Sequence, residues 1–178
     1  MNLLTTIHDK IEEAGLWQVY PVLKRNEYLK VSGSTDTRLF YVVSGSLRVF
    51  VVDEFEEHTI RFGYQGSFIT ALDSFIKEQP SDFYIQALKR TELKMIPKQD
   101  YYQLLHSNAE NMKLWQQMLE EFVYQQIERE RDILTSSPME RYRRVLQRSP
   151  QLFQEIPNKY IASYLRMTPE TLSRIKKS

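Results

Sequence analysis

Cysteine is absent from the 178 residues. That excludes disulfides, thiolate metal sites, cysteine-ligated iron–sulfur clusters and cysteine nucleophiles together, and it fits a reducing compartment without requiring one. Histidine is scarce: His8, His58 and His106 are the whole set, and no two of them stand at ligand spacing. No Ser/His/Asp set and no glycine-rich phosphate loop is recognisable, so the chain reads as a non-enzyme without cofactor or metal. Apolar runs long enough to span a membrane are missing. The stretch from Met1 to Glu13 carries Asp9, Glu12 and Glu13, not the basic-then-apolar order of a signal peptide. The expectation is a cytoplasmic protein with no membrane partner.

What is present is ample core material. Hydrophobic residues make up 42% and aromatic residues 12% of the chain, enough to exclude disorder as the main state. The net charge of +1 conceals a polarity. Residues 1–107 hold 12 basic against 14 acidic side chains, residues 108–130 hold 2 against 5, and residues 131–178 hold 10 against 4. A basic end on an acidic body suits a polyanion partner at that end.

Residues 3–25 read as helix from Leu3, Leu4, Ile7, Ile11 and Leu16 at helical spacing. Short β-branched and aromatic runs follow: Tyr28–Val31, Leu39–Val43, Leu47–Val52, Thr59–Phe62, Ser67–Ile69, Phe83–Leu88 and Leu93–Ile96. An acidic turn, Asp53–Glu57, separates two of them. Gly33, Gly45, Gly63 and Gly66 are all assigned to turns, where positive φ or tight corners are needed. Strands this short and close favour an antiparallel roll or barrel. Its aromatics (Phe40, Tyr41, Phe62, Tyr64, Phe68, Phe83 and Tyr84) read first as core or cross-strand pairs.

From Asn108 to Leu134 there is no Gly or Pro, and one helix of roughly 37 Å is expected. Met112, Trp115, Leu119 and Phe122 follow a 3–4–3 spacing that resembles a coiled-coil seam, with Leu114, Met118 and Val123 on a second flank. A helix apolar on two sides needs two surfaces to bury against, which the roll and a second copy of the chain could supply; the alternative is a single wide core-facing stripe. Gln126 and Arg129 interrupt the seam, so a long zipper is not supported. Gln125 and Gln126 are in reach of an effector, although such residues more often sit in water.

Ser137 can cap and Pro138 can open a short helix, Met139–Leu146. Two brief helices then follow Pro157: Asn158–Leu165 and Pro169–Lys177. Ile161 and Leu165 stand four residues apart on the first, and Ala162 gives the small side chain that a close helix crossing needs. Thr168 is a good N-cap, Pro169 suits the first helical position, and Glu170 favours the positive end of the macrodipole. Leu172 and Ile175 face the preceding helix. That layout is a helix-turn-helix, whose second helix enters the major groove by its N-terminal end. The side chains left outward are Thr168, Pro169, Glu170, Thr171, Ser173 and Arg174, with Lys176 and Lys177 further along. Arg can make a bidentate contact to guanine, Glu can accept from cytosine, and Ser, Thr and Lys can hold phosphates.

The segment IASYLRMTPETLSRIKK resembles the helix-turn-helix of the Crp/Fnr family of bacterial transcription regulators. LFYVVSGSLRVF with the later GYQGSFI resembles that family's cyclic-nucleotide-binding β-roll, and the order of parts matches over essentially the whole chain. The resemblance implies an α+β fold: a double-stranded β-helix (jelly-roll, cupin-like) sensor domain over residues 1–107, a long dimerisation helix over 108–135, and a small helix-turn-helix domain over 136–178. It implies a homodimer that binds DNA and whose roll senses a small molecule or acts constitutively. By the same resemblance Glu170 and Arg174 fall on base-contacting positions, and Thr168, Thr171 and Ser173 on capping or backbone-contacting ones.

The chain departs from that pattern in several places. Where family members that bind cyclic AMP carry a Gly-Glu-Leu turn, this chain has Thr70-Ala71-Leu72. The phosphate-pairing Arg falls at or beside Ser81, next to Asp82. One neutral donor beside a carboxylate cannot offset the desolvation of a phosphate, so cyclic AMP is not expected to bind in the usual way. At the DNA end Arg166 replaces the usual turn glycine, Pro169 replaces a base-contacting basic residue, and no full wing is expected after the recognition helix. Arg141, Arg143, Arg144 and Arg148 are candidates for phosphate contacts in its stead, although a solvated face is the simpler reading for some. The competing reading from another class is a ligand-binding or protein-interaction module with a vestigial helix-turn-helix. Cupin-type metal catalysis, the third, lacks the histidines it would need.

Overall fold

The computed structural model describes residues 3–177. Its first helix, α1, spans only Leu3–Glu13, shorter than the helix expected over 3–25. Gly15 takes φ +66°, and the Leu16 amide reaches back to the Ile11 carbonyl at 3.1 Å. This left-handed closure satisfies the final carbonyls and stops the helix. The chain then supplies β1 (Gln18–Val19) to a sheet. Periodicity could not show this, because Leu16, Trp17 and Tyr20 bury equally well in either geometry.

Seven further strands follow: β2 (Tyr28–Lys30), β3 (Leu39–Ser44), β4 (Ser46–Asp53), β5 (Glu56–Tyr64), β6 (Phe68–Ile69), β7 (Tyr84–Ala87) and β8 (Glu92–Ile96). They form two four-stranded antiparallel sheets, in the orders β1-β8-β3-β6 and β2-β7-β4-β5. Inward-facing Leu29, Phe40, Val42, Leu47, Val49, Ile69, Ile85 and Leu93 fill the space between them. A short helix, α2 (Leu72–Lys77), which no hydrophobic period marks, lies between β6 and β7.

Two turn assignments change. The acidic turn shrinks to Glu54 and Phe55, because β4 and β5 pair as far as Asp53↔Glu56. Gly63 lies inside β5 and not in a turn. A Cβ there would stand 2.9 Å from Ile69 Cδ1, so close packing, not positive φ, is what glycine serves at this position. A bulge also interrupts β5. Val49 pairs with Arg61 and Phe50 with Thr59, leaving Ile60 unpaired and bending this edge strand where Arg61 emerges.

Helix α3 (Lys98–His106) leads to α4 (Ala109–Leu134), capped by Asn108 accepting from the Asn111 amide at 2.8 Å. The expected seam on α4 is divided. Trp115 and Phe122 pack with Met118 and Leu114 against α1, α3 and the roll, while Met112 and Leu119 remain exposed at 38% and 39%. Val123, Tyr124, Ile127 and Leu134 are exposed beside them, so the outward stripe is displaced from the 3–4–3 reading. The cause is that both aromatic rings gain more burial on the roll than on an open flank.

Helix α5 (Pro138–Arg148) begins with Ser137 accepting from the Glu140 amide. A single unforeseen turn, α6 (Leu152–Glu155), precedes α7 (Asn158–Tyr164) and α8 (Pro169–Ile175). These helices share a core of Val145, Leu152, Ile156, Ile161, Ala162, Leu165 and Leu172, and Phe62 and Leu88 of the roll join it. The C-terminal helices therefore lie against the roll. Among the described residues no helix is long and apolar enough to cross a membrane.

Candidate nucleic-acid interface and the cavity behind it

Helices α7 and α8 are joined by a tight connection. Arg166 occupies the left-handed region at φ +52°, as expected where a glycine would be easier. The Met167 amide donates to the Ala162 carbonyl at 3.0 Å. Thr168 Oγ1 accepts from the Thr171 amide at 3.2 Å and Pro169 takes the first helical turn, so the capping expectation is met. Ile161, Ala162, Leu165 and Leu172 are all buried, and that apolar contact fixes which side of α8 faces out. Thr168, Pro169, Glu170, Ser173, Arg174, Lys176 and Lys177 are exposed, and Thr171 is half-buried. Pro169, Glu170, Ser173, Arg174 and Lys177 share one shallow open surface. Lys176 is drawn aside, its Nζ donating to Asn158 Oδ1 at 3.0 Å.

Three of the four α5 arginines, Arg141, Arg144 and Arg148, have other employment than a solvated face. Arg141 is buried and donates to four carbonyls: Thr135, Ser136, Leu165 and Arg166. Arg144 Nε donates to Asp132 Oδ1 at 2.9 Å, and Arg148 binds the other oxygen at 2.5 Å. The Asp132 side chain is wholly buried, so this pair of bonds ties α5 to the end of α4. Of the four arginines only Arg143 is exposed.

The residues expected around an effector do not assemble into one pocket. Thr70 Oγ1 donates to the Arg38 carbonyl, Ala71 is buried, and Leu72 opens α2. Thr70 and Leu72 border an apolar gap of only about 30 Å³ beside Phe75, Tyr101 and Trp115. Ser81 is buried with its hydroxyl accepting from the Phe83 amide, and Asp82 is exposed. The nearest cation is already committed: Lys30 Nζ donates to the Val31, Ser81 and Phe83 carbonyls, each at 3.0 Å. Burial holds the Lys30 ammonium below its ordinary pKa, against the pull of Asp73, Asp36 and Asp82.

A roomier cavity than that gap lies elsewhere, between β5, α4 and the C-terminal helices. It measures about 340 Å³, with Arg61, Phe62 and Tyr64 from the roll, Glu121, Gln125, Gln126 and Arg129 from α4, and Arg148 and Tyr164 from the far side. That is within the size range of small-molecule sites. Arg129 stacks on Tyr164, 3.7 Å from the ring centre, and Arg61 faces Phe122 at 5.7 Å. Burial lowers the pKa of both guanidiniums, with Tyr164 opposing the shift. Sequence reasoning missed this cluster. Its traces were the polar residues Gln126 and Arg129 breaking an apolar helix and the reach of Gln125 and Gln126 toward an effector; all three line the cavity.

Residues 21–108 match the model of the cyclic nucleotide-binding domain family. Among solved structures the chain is similar to FixK2 from Bradyrhizobium japonicum, at TM-score 0.71 and 16% identity over 90% of this chain and 83% of that one. It is similar to a CooA mutant from Carboxydothermus hydrogenoformans, at 0.72 and 16% over 99% and 83%. A third is the c-di-GMP responsive global regulator CLP of Xanthomonas campestris, at 0.66 and 13% over 97% and 90%. No curated protein sequence matches the chain.

Proposed function

We propose, for a chain whose residues 21–108 form a cyclic nucleotide-binding-type domain and whose fold is that of the Crp/Fnr-type regulators, that it is a dimeric DNA-binding transcription regulator. In this reading α7 and α8 are a helix-turn-helix, with residues 136–178 as the DNA-binding part, 108–135 as the dimer helix and 1–107 as the sensor. The observation that carries it is the division of α8: Leu172 is fully buried while Glu170, Ser173 and Arg174 line the opposite, open side. A short helix anchored this way presents its leading edge to base edges in a major groove. Glu170 and Arg174 read bases, Thr168, Thr171 and Ser173 cap or hold phosphates, and Pro169, Lys176 and Lys177 complete the surface.

Dimerisation through α4 is supported by its outward apolar stripe, Leu119, Val123, Tyr124 and Ile127. Four such residues on a solvent-facing helix are more than scattered surface apolars. Cyclic AMP is not the effector in the usual manner. Ser81 offers no cation, Asp82 stands beside it, and the Lys30 charge is spent on three carbonyls.

The test is selection from a random duplex library, then binding of the enriched duplex over a salt series. A steep salt slope is expected from phosphate neutralisation. Glu170→Ala with Arg174→Ala is expected to lower affinity for the enriched duplex by about tenfold or more and to flatten sequence preference. Unchanged preference in that double variant, or no duplex binding at all, would overturn the reading in favour of a ligand- or protein-binding module.

A further inference from the structure

The cavity behind α4 has a composition that nothing in the roll or the DNA-facing surface requires. Arg61 comes from an edge strand and Arg129 from a helix, and both line the same partly open cavity. Neither forms an ion pair among the described residues. Among the described residues Arg129 makes a single long side-chain hydrogen bond, 3.5 Å to the Thr59 carbonyl. Arg148, on the third wall, is different: Asp132 balances it. Asp132 acts on Arg129 from a distance, against the nearby charges of Arg166 and Arg148, and no carboxylate acts on Arg61. A guanidinium partly removed from water without a hydrogen-bonded carboxylate is costly, and an anion bound from outside would lower that cost. The walls add aromatic faces, Tyr164 and Phe62, which suit a ring or an apolar body better than bulk water. Glu121 lines the cavity too; its carboxylate accepts from Gln125 Nε2 at 2.9 Å and keeps its charge, but the residue is exposed, where water and salt screen it.

From this we infer that the cavity between the roll, α4 and the C-terminal helices is the effector site, and that it takes an anionic small molecule with a phosphate or carboxylate group and an apolar body. Arg61 and Arg129 hold the anion, and Tyr164 flanks the body. The inference deepens the sensor reading above and rests on it only for the consequence of binding. The site shares none of the five positions Thr70, Ala71, Leu72, Ser81 and Asp82. Its placement gives a direct route to control. One wall is the bulged strand, one is the long helix, and the third is formed by Arg148, Leu152 and Tyr164 of the helices that carry α8. An occupant bonded to all three would fix the angle of the C-terminal helices on the roll.

The experiment is thermal unfolding of the full chain, without DNA, against phenyl phosphate, benzoate and phenol, with sodium chloride at matched ionic strength. Phenyl phosphate or benzoate is expected to raise the midpoint saturably, and the stronger of the two assigns the anionic group. Phenol and chloride are expected to leave it in place. Arg61→Gln and Arg129→Gln, made singly so that one variant failing to fold does not end the test, are each expected to weaken apparent affinity by about tenfold. Absence of any shift beyond chloride, or the same shift in both folded variants, would overturn the inference. Because no DNA is present, that failure is separate from failure of duplex binding, which the library selection reads alone.

Discussion

Arg141 Nη2 donates to the carbonyl oxygen of Arg166 at 3.1 Å, across 25 residues of sequence. The acceptor belongs to the one residue of the α7–α8 connection held at positive φ. The same guanidinium takes the Leu165 carbonyl and, on its other edge, those of Thr135 and Ser136. One side chain thus joins the end of α4, the start of α5 and the turn that aims α8.

Arg141→Met is expected to destabilise the protein by roughly 2–4 kcal/mol, because several buried carbonyls lose a charged donor at once. Denaturant unfolding measures it. Arg141→Lys is expected to recover less than half, since a point charge cannot span the four acceptors that a planar fork reaches. Full recovery by lysine would show that charge alone matters here.

Arg166→Gly separates strain from side-chain function. Relief of the left-handed conformation, on the order of 1 kcal/mol, is nearly offset by the greater freedom of glycine in the unfolded chain, about 0.4–1 kcal/mol. Stability is therefore expected within about 0.5 kcal/mol of the parent. A β-branched residue at the same place is expected to cost more than that, as unfolding midpoints would show.

Tyr101 gives the pH prediction. It is fully buried, its hydroxyl has no partner among the described residues, and burial, with Tyr102 adding, pushes the phenol well above its ordinary value of 10.0. A raised folded-state pKa favours the protonated form in the fold, so the contribution is whole below pH 10 and is lost as pH rises beyond it. Tyr101→Phe is expected to be neutral or stabilising by about 1 kcal/mol at pH 7, since an unsatisfied hydroxyl is removed. It is also expected to flatten the loss of stability above pH 10. Lys30, whose pKa is lowered by burial, favours the fold as pH rises and acts equally in both proteins. An identical alkaline profile in the two would contradict this account.

Val123→Glu with Ile127→Glu is expected to yield a folded monomer by sedimentation, with at least tenfold weaker binding to a two-half-site duplex. Phe122→Ala, by contrast, is expected to cost roughly 2–4 kcal/mol of stability without changing the oligomeric state, because that ring packs on the roll. Dissociation by Phe122→Ala at unchanged stability would restore the original 3–4–3 seam.

Much of the fold is legible in the sequence because local rules and tertiary needs agree. Seven of the eight strands, the long helix and the caps Ser137 and Thr168 stand where turn chemistry and capping put them. The failures fall where residues have two good uses. Trp17 to Tyr20 could bury as helix or strand, and the neighbouring β8 edge decided for strand. Gly63 could serve a turn or a close approach, and Ile69 decided for the latter. The α8 surface was readable because buried Leu172 and capping Thr168 are local signals. The cavity was not, because Arg61 and Arg129 are 68 positions apart, and the break that Arg129 makes in the apolar seam does not show which strand it meets.

By itself the sequence determined the order of parts, the polarity of charge and the outward face of α8, since periodicity, capping and composition act over a few residues at a time. Only the tertiary structure decided which flank of α4 remains open, that Arg141, Arg144 and Arg148 tie α5 to its neighbours, and that two guanidiniums without an ion pair among the described residues line one cavity. Those outcomes depend on which surfaces win the competition for burial and on where a bulged strand turns, and both are settled by contacts between residues far apart in the chain.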